Sequence, residues 1–342
     1  SIALAIALAE MKAQRPDRRV VIIPAYCCPS VPNVVRASGL QAKAAPVRDD
    51  LNLDLDKLAP LLDQTVLAVV GVHMYALPLD TNRLGALAKA AGAYVIDDAA
   101  HVVGVKAGDK VMGTNGDVGL LSFNQSKTLT GGSPNGGGAL LVSNAELEPG
   151  IAKRYAALPE GKSRARSYLW FALRYGVEVT PRALSAYLGP LEDPVASVLG
   201  DEIKVEERMS ASASRAVTAQ LKRLPGILAG RERVVSHYLD ALRDNGELTF
   251  PQTTTPRYLS RMMIRWRSGP KANQVRETMA RLGHASRAPY PVWTDESDPT
   301  AAFVHDINAT HLELPGSPAL TAAQVKEAVA ALTTCLNAGP RP

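Results

Sequence analysis

Residues 65–97, TVLAVVGVHMYALPLDTNRLGALAKAAGAYVID, carry the pattern that decides the fold. Two short runs rich in valine and isoleucine, TVLAVVGVH at 65–73 and AYVID at 93–97, flank the helix-period segment NRLGALAKAAG. Strands that are apolar throughout are wetted on neither face, so this pattern belongs to a mostly parallel sheet covered by helices on both sides. Working outward, RVVIIP at 19–24 is a further buried strand ended by proline, between the apolar helix SIALAIALAEM and the helix PNVVRASG closed by Gly39. QAKAAPV and a helix around LDKLAPLL come next, and GLLSF at 119–123 and GALLVS at 138–143 flank a glycine-rich loop. Past residue 145 the chain turns helical and more basic, with MSASASRAVTAQLKRL and RERVVSHYLDALRDNG. It then shows a strand, YLSRMMIRW at 258–266, and two helices, KANQVRETMARLG and LTAAQVKEAVAALTTCL. The expected class is α/β. A large three-layer α/β/α domain spans 1–245, with a divergent helical insertion at about 155–205, and a smaller α+β domain spans 246–342.

Composition removes several function classes. The chain has 342 residues, 46% apolar and 21% charged, which excludes disordered and fibrous readings. The apolar run at residues 1–9 is shorter than the roughly 18 residues a membrane span needs. It also lacks the basic flank and cleavage site of a signal peptide. The sequence opens on Ser1 rather than Met, so a natural start further upstream is expected. The net charge of +5 is scattered along helices without a reader motif, and no nucleic-acid partner is expected. One basic and aromatic stretch, 161–176, holds Lys162, Arg164, Arg166 and Arg174 around Leu169, Trp170, Phe171 and Leu173. From Lys162 to Leu188 it reads as a helical insertion packing on a dimer partner, in preference to a membrane-surface segment. Cys27, Cys28 and Cys335 form neither a disulfide framework nor a four-ligand zinc site, and a reducing cytoplasm fits them. No HExxH pair occurs, and the GKS at 161–163 lacks the upstream glycine of a P-loop, so no metal is expected.

In open α/β sheets ligands sit beyond the carboxyl ends of the strands. The residues there are Tyr26, Cys27 and Cys28; His73 and Tyr75; Asp97, Asp98 and His101; Ser122 to Lys127; and Gly131 to Gly138. Singly, each has a plain structural explanation. Jointly, an acid at one strand end and a serine and lysine at another suit pyridoxal phosphate. That cofactor needs a carboxylate for its ring nitrogen, a lysine for the Schiff base and donors for its phosphate. Lysine does this because desolvation neutralises its amine at modest cost, which arginine does not allow. His73 and Tyr75 suit either the site entrance or a strand-end structural role, and Asp97 a structural one. Arg287, Tyr290 and His311 are open candidates for meeting substrate.

On these residues the chain resembles the DegT/DnrJ/EryC1/StrS aminotransferases, nucleotide-sugar enzymes of fold type I. YVIDDAAH at 94–101 resembles the family's acid-pair strand, and SFNQSKTLTGG at 122–132 its serine-to-lysine motif. VVIIPAYCCPS at 20–30, VHMYALPLD at 72–80, the helix pair after Met209 and LELPGSPALTAAQV extend the likeness along nearly the whole chain. The resemblance implies that Lys127 is the Schiff-base lysine and proton shuttle, and that Asp98 pairs with the pyridine nitrogen. It places His101 against the ring or its phenolic oxygen, Ser122 and Ser1 at the phosphate, and Cys28 with Tyr26 at the ring face. It also implies a homodimer with shared active sites. Three departures stand out: Cys28 where the family has an aromatic residue, Ala76 for a glycine, and Glu206, Glu207 and Arg208 for an Asn-aromatic-Arg segment. The function implied is transfer of an amino group from an amino acid, glutamate by resemblance, to a keto group on a nucleotide-linked sugar. Lys127 argues against the family's dehydratase branch, where histidine stands. The alternatives are amination of a non-sugar carbonyl in secondary metabolism, or a non-catalytic relative acting as a binding or regulatory protein.

Overall fold

The computed structural model describes residues 2–124, 127–131, 136–161, 207–250, 261–267, 272–282, 284 and 289–337. Its first helix, α1 (Ile2–Gln14), buries Leu4, Ala7, Leu8 and Met11, a spacing that places them on one face. Strands β1 (Val20–Pro24), β2 (Gln41–Ala45), β3 (Val66–Val72), β4 (Tyr94–Asp98), β7 (Val118–Ser122) and β8 (Gly138–Val142) form one sheet in the order β2-β1-β3-β4-β7-β8. All pairs are parallel except β7 with β8. The strands β5 (Lys106–Ala107) and β6 (Lys110–Val111) make a separate small hairpin. Alternation along β1 sends Val21 and Ile23 into the core shared with Leu8 and Met11 of α1. Val20 and Ile22 go to the opposite core, with Leu84 and Ala88 of α3 (Thr81–Ala90). The expected layers of helix, sheet and helix are therefore present, with α2 (Ser30–Ala37) between β1 and β2.

The helix expected around LDKLAPLL is reduced to a 3-10 turn at Ala59–Leu61. Pro60 has no amide proton, and its ring blocks the carbonyl four residues back, so a helix cannot run through it. Helix α4 (Glu148–Ala157) closes the sheet against α1, where Glu10 accepts from Arg154 Nε at 3.0 Å. Its chain leads to Pro159, whose carbonyl accepts from Arg208 N at 2.9 Å; a Cβ added to Gly161 would lie 1.9 Å from the Arg208 carbonyl oxygen. Residues 159–161 and 208–210 thus meet backbone to backbone.

Helices α5 (Ala211–Leu221) and α6 (Leu224–Leu242) follow. Leu228 packs with Ala99 and Met112 of the large domain, while Val234, Val235, Tyr238 and Leu242 pack with Trp266, Leu312 and Val325. Helix α6 therefore crosses from one core into the other before the expected boundary near 245. Where the sequence showed one clear strand there is a three-stranded antiparallel sheet in the order β11-β10-β9, from β9 (Leu248–Thr249), β10 (Met262–Trp266) and β11 (His311–Leu314). It is backed by α7 (Ala272–Arg281) and α9 (Ala322–Asn337), and α8 (Ala301–Thr310) runs directly into β11. Along β10, Met262, Ile264 and Trp266 face the helices, whereas Met263 joins the large domain's core. Glu313 is the cross-strand partner of Met263, and so shares the face turned toward the large domain.

Burial drives the His311 imidazole down to about 4, with Arg265 adding to the effect. The unfolded chain takes up the proton first, so stability falls as pH drops from about 6.5 toward 4, by about 3 kcal/mol from this group. Urea unfolding between pH 7 and 4 should show this slope, and His311→Gln should flatten it. The lysine-bearing loop between β7 and β8 is pinched at its base, with Phe123 N bonded to Gly137 O at 2.9 Å and Gly131 N to Phe123 O at 2.8 Å. A Cβ on Gly136 would sit 1.9 Å from Phe123 O. Gly136→Ala should cost on the order of 3 kcal/mol, read as a lower unfolding midpoint.

Candidate active site

The chain leaves β1 for β2 on one side and returns for β3 on the other, which opens a crevice at the carboxyl ends of the central strands. Along β4, alternation turns Asp97 and Asp98 to opposite faces. Asp97 is fully buried and spent: Oδ1 lies 2.8 Å from His73 Nε2, and Oδ2 accepts from Gly113 N and Asn115 N, each at 2.9 Å. His73 Nδ1 accepts from Leu79 N at 3.0 Å, so Nε2 carries the proton toward Asp97. Both residues hold the turn after β3 and stay out of the site.

Asp98 is also buried, but Oδ1 accepts only from Ala100 N at 2.9 Å, and its other oxygen takes no hydrogen bond from a described residue. Burial raises its pKa, offset in part by that bond and by Lys127. Lys127 lies past the end of β7, and its Nζ forms no hydrogen bond or ion pair with a described residue. Burial lowers its pKa while Asp98 and Cys28 pull the other way. A lysine in this state gives up its proton more readily than one in water. Arg231 fixes its main chain: Nη2 donates to Lys127 O at 3.2 Å and Nη1 to Gly316 O at 3.5 Å. The same guanidinium therefore ties the lysine loop to the segment after β11, and burial with Arg261 nearby brings it down to about 10.

His101 forms the next part of the wall. Its Nδ1 accepts from Tyr75 N at 3.1 Å, and its Nε2 lies 3.1 Å from Tyr290 Oη. Burial first, then Lys127 and two arginines, push its pKa well down. The ring is therefore neutral, with its proton on Nε2. Ser122, the last residue of β7, is half-buried, and its hydroxyl has no hydrogen-bond partner among the described residues. Cys28 is half-buried, with Sγ 3.2 Å from Ser30 Oγ. Tyr26 has no exposed surface: its hydroxyl bonds Tyr75 Oη at 2.7 Å and its ring lies against Tyr75 and Tyr290, so it backs the wall instead of presenting a ring face. Ser1, Glu206, Arg287, Gly132 and the segment from Lys162 to Leu188 lie outside the described residues. Arg208 lies over the Tyr155 ring at 5.7 Å and 3.9 Å from Glu160, and His311 sits on the small sheet against Thr310.

The structure adds groups that sequence reasoning missed. Glu313, 3% exposed, pairs with Arg261 through one carboxylate oxygen and accepts from the Tyr75 hydroxyl through the other. Asn52 accepts from Met74 N at 3.1 Å and donates to Leu77 O and Pro78 O, which holds Tyr75 and Ala76 in left-handed backbone at φ 53° and 72°. Glu313 had a signal, an acid between two leucines in a strand; Asn52, in a polar turn, had none.

A buried acid, a neutral histidine and a lysine without a hydrogen-bond partner among the described residues stand at the carboxyl ends of adjacent parallel strands, an arrangement that fits a fold type I transferase. The chain belongs to the DegT/DnrJ/EryC1/StrS aminotransferase family, whose model matches residues 1–333. Among curated relatives, GDP-perosamine synthase of Vibrio cholerae is 29% identical over 43% of this chain, a match that spans 39% of that protein. GDP-perosamine synthase of Caulobacter vibrioides is 27% identical over 98% of this chain and 83% of its own. Among solved structures, Helicobacter pylori PseC, an aminotransferase, shares the fold with a TM-score of 0.74 at 17% identity, covering 98% of this chain and 85% of that one. On this geometry, nitrogen NMR of His101 should report the Nε2–H form unchanged between pH 6 and 8; a titration within that range would break the assignment.

Proposed function

We propose that this chain is a pyridoxal phosphate-dependent aminotransferase that takes an amino group from glutamate and delivers it to a keto group of a nucleotide-linked sugar. The observation that carries the reading is the Lys127 amine near the buried Asp98 carboxylate, where neither the amine nor the second carboxylate oxygen has a hydrogen-bond partner among the described residues. These groups fit the cofactor. Asp98 Oδ2 would take the N–H of the ring nitrogen, Lys127 the aldehyde carbon and Ser122 the phosphate, with His101 and Cys28 beside the ring. When bound, the cofactor supplies an electron sink for the carbon that loses its proton.

The protein's own part is to hold and move that proton. In each half of the reaction Lys127 Nζ would take the proton from one carbon and return it to the other, from the amino donor's Cα to the cofactor in the first half and from the cofactor to the acceptor carbon in the second, which its burial-lowered pKa permits. Asp98 remains the partner of a protonated ring nitrogen. Arg231 keeps the lysine's main chain fixed as its side chain swings. His101, neutral and donating from Nε2, orients Tyr290 without adding positive charge next to the lysine. The relatives named GDP-perosamine synthase support a sugar acceptor, and the lysine at position 127, in place of a dehydratase's histidine, supports amine transfer over dehydration. We place the working unit as a homodimer in the cytoplasm, where free Cys27, Cys28 and Cys335 suit a reducing medium. No helix among the described residues is long and apolar enough to cross a membrane.

The protein loaded with pyridoxal phosphate should be yellow and should bleach when glutamate is added. Lys127→Ala should lose the adduct that borohydride traps in the wild type. Failure to take up pyridoxal phosphate would overturn the proposal. Return of colour with simple ketones alone, and not with keto sugars, would move the acceptor to the non-sugar class.

A further inference from the structure

The hydroxyl groups around the site form a chain whose every direction is determined. Glu313 is a carboxylate facing Arg261, so the Tyr75 hydroxyl donates to it. The Tyr26 hydroxyl must then donate to Tyr75 Oη at 2.7 Å, and it accepts from Tyr290 N at 3.4 Å. On the other side, Tyr75 N donates to His101 Nδ1, which leaves the histidine proton on Nε2, directed at Tyr290 Oη 3.1 Å away. Tyr290 Oη is thereby an acceptor within the wall, and its own proton has no acceptor among the described residues. The Tyr290 ring cannot swing to find one. It lies parallel to Tyr75, at 4° with centroids 6.3 Å apart, and is braced by Tyr26 at 5.5 Å.

From this count of donors and acceptors we infer that Tyr290 contacts the substrate, its hydroxyl donating a hydrogen bond to the carbonyl oxygen of the ketone that enters or leaves the site. The inference rests on the aminotransferase reading and adds to it a residue from the small domain. The proton remains on Tyr290, because burial holds the phenol well above its ordinary pKa, so the residue polarises the carbonyl as a fixed donor and no bond to its hydrogen is broken. The same atom serves both halves of the reaction, since a keto acid leaves and a keto acceptor enters at one place. The hydroxyl meets His101 Nε2 at 3.1 Å, and His101 in turn holds Tyr75 N, which places it on the wall of the site.

Tyr290→Phe removes the hydroxyl and keeps the ring stack. With the pyridoxal phosphate-loaded protein, the variant should bleach with glutamate within about twofold of wild type, yet release 2-oxoglutarate in a single turnover on the order of 10²-fold more slowly. A second readout needs no turnover. The infrared carbonyl band of 2-oxoglutarate labelled with carbon-13 at C2, bound to the loaded protein, should lie below its position in solution in the wild type and return toward it in Tyr290→Phe. Equal release rates and an unmoved band would overturn the inference, as would loss of cofactor binding by the variant, which would make Tyr290 a structural residue. If the wild type fails to bleach with glutamate, the aminotransferase reading fails, and the band comparison decides Tyr290 by itself.

Discussion

The site depends on the mutual effect of two groups, one buried and one half-buried, that water would keep charged. Asp98 and Lys127 come from the ends of neighbouring strands, and burial raises one pKa while lowering the other. Each limits how far the other moves, since a carboxylate nearby favours the ammonium and an ammonium favours the carboxylate. Parallel pairing makes this placement possible: it lines up the strands' carboxyl ends, so residues distant in sequence share one rim. The rest of the wall respects that balance. His101 is neutral, Arg231 spends its guanidinium on carbonyls, and Arg261 is matched by Glu313.

A second constraint is the backbone of Tyr75 and Ala76. Left-handed conformation costs a residue with a Cβ about 1–2 kcal/mol, and here two occur in succession. Asn52 from below and Glu313 from the small domain hold the turn, and the result is an amide, Tyr75 N, aimed at His101 Nδ1. Ala76 is therefore a cost met by neighbours, and the three-stranded sheet contributes to the geometry of a site otherwise built at the rim of the six-stranded one.

The legible part of the fold was the part with a period. The apolar runs at 20–24, 66–72 and 94–98 became strands within a residue of their expected bounds, because each is wholly buried. The glycines after Lys127 had a reason that appeared only in three dimensions: Gly136 passes under the Phe123 carbonyl. Strand β11 was missed because four residues, HLEL, are too short for alternation to register, and α8 because it runs into β11 without a break. Asp98, Lys127 and His101 were expected together from the order of their motifs, and they stand at the same rim of the sheet. Arg261 was not, since it stands just outside a strand with no sign of its partner, and Glu313, though set between two leucines, was hidden with the short strand that carries it. Tyr26 was placed at a ring face on position alone, and packing turned it into the core.

The backbone contact of Pro159 and Gly161 with Arg208 bears on chain length. The chain leaves the frame and re-enters it at one point, so the two ends of the excursion are held together by backbone contact. Lengthening such an excursion twofold costs only about 0.6 kcal/mol in closure entropy. The junction of 159–161 with 208–210 therefore sets almost no limit on the number of residues that lead from one side of it to the other, much as a fixed mount accepts fittings of different length.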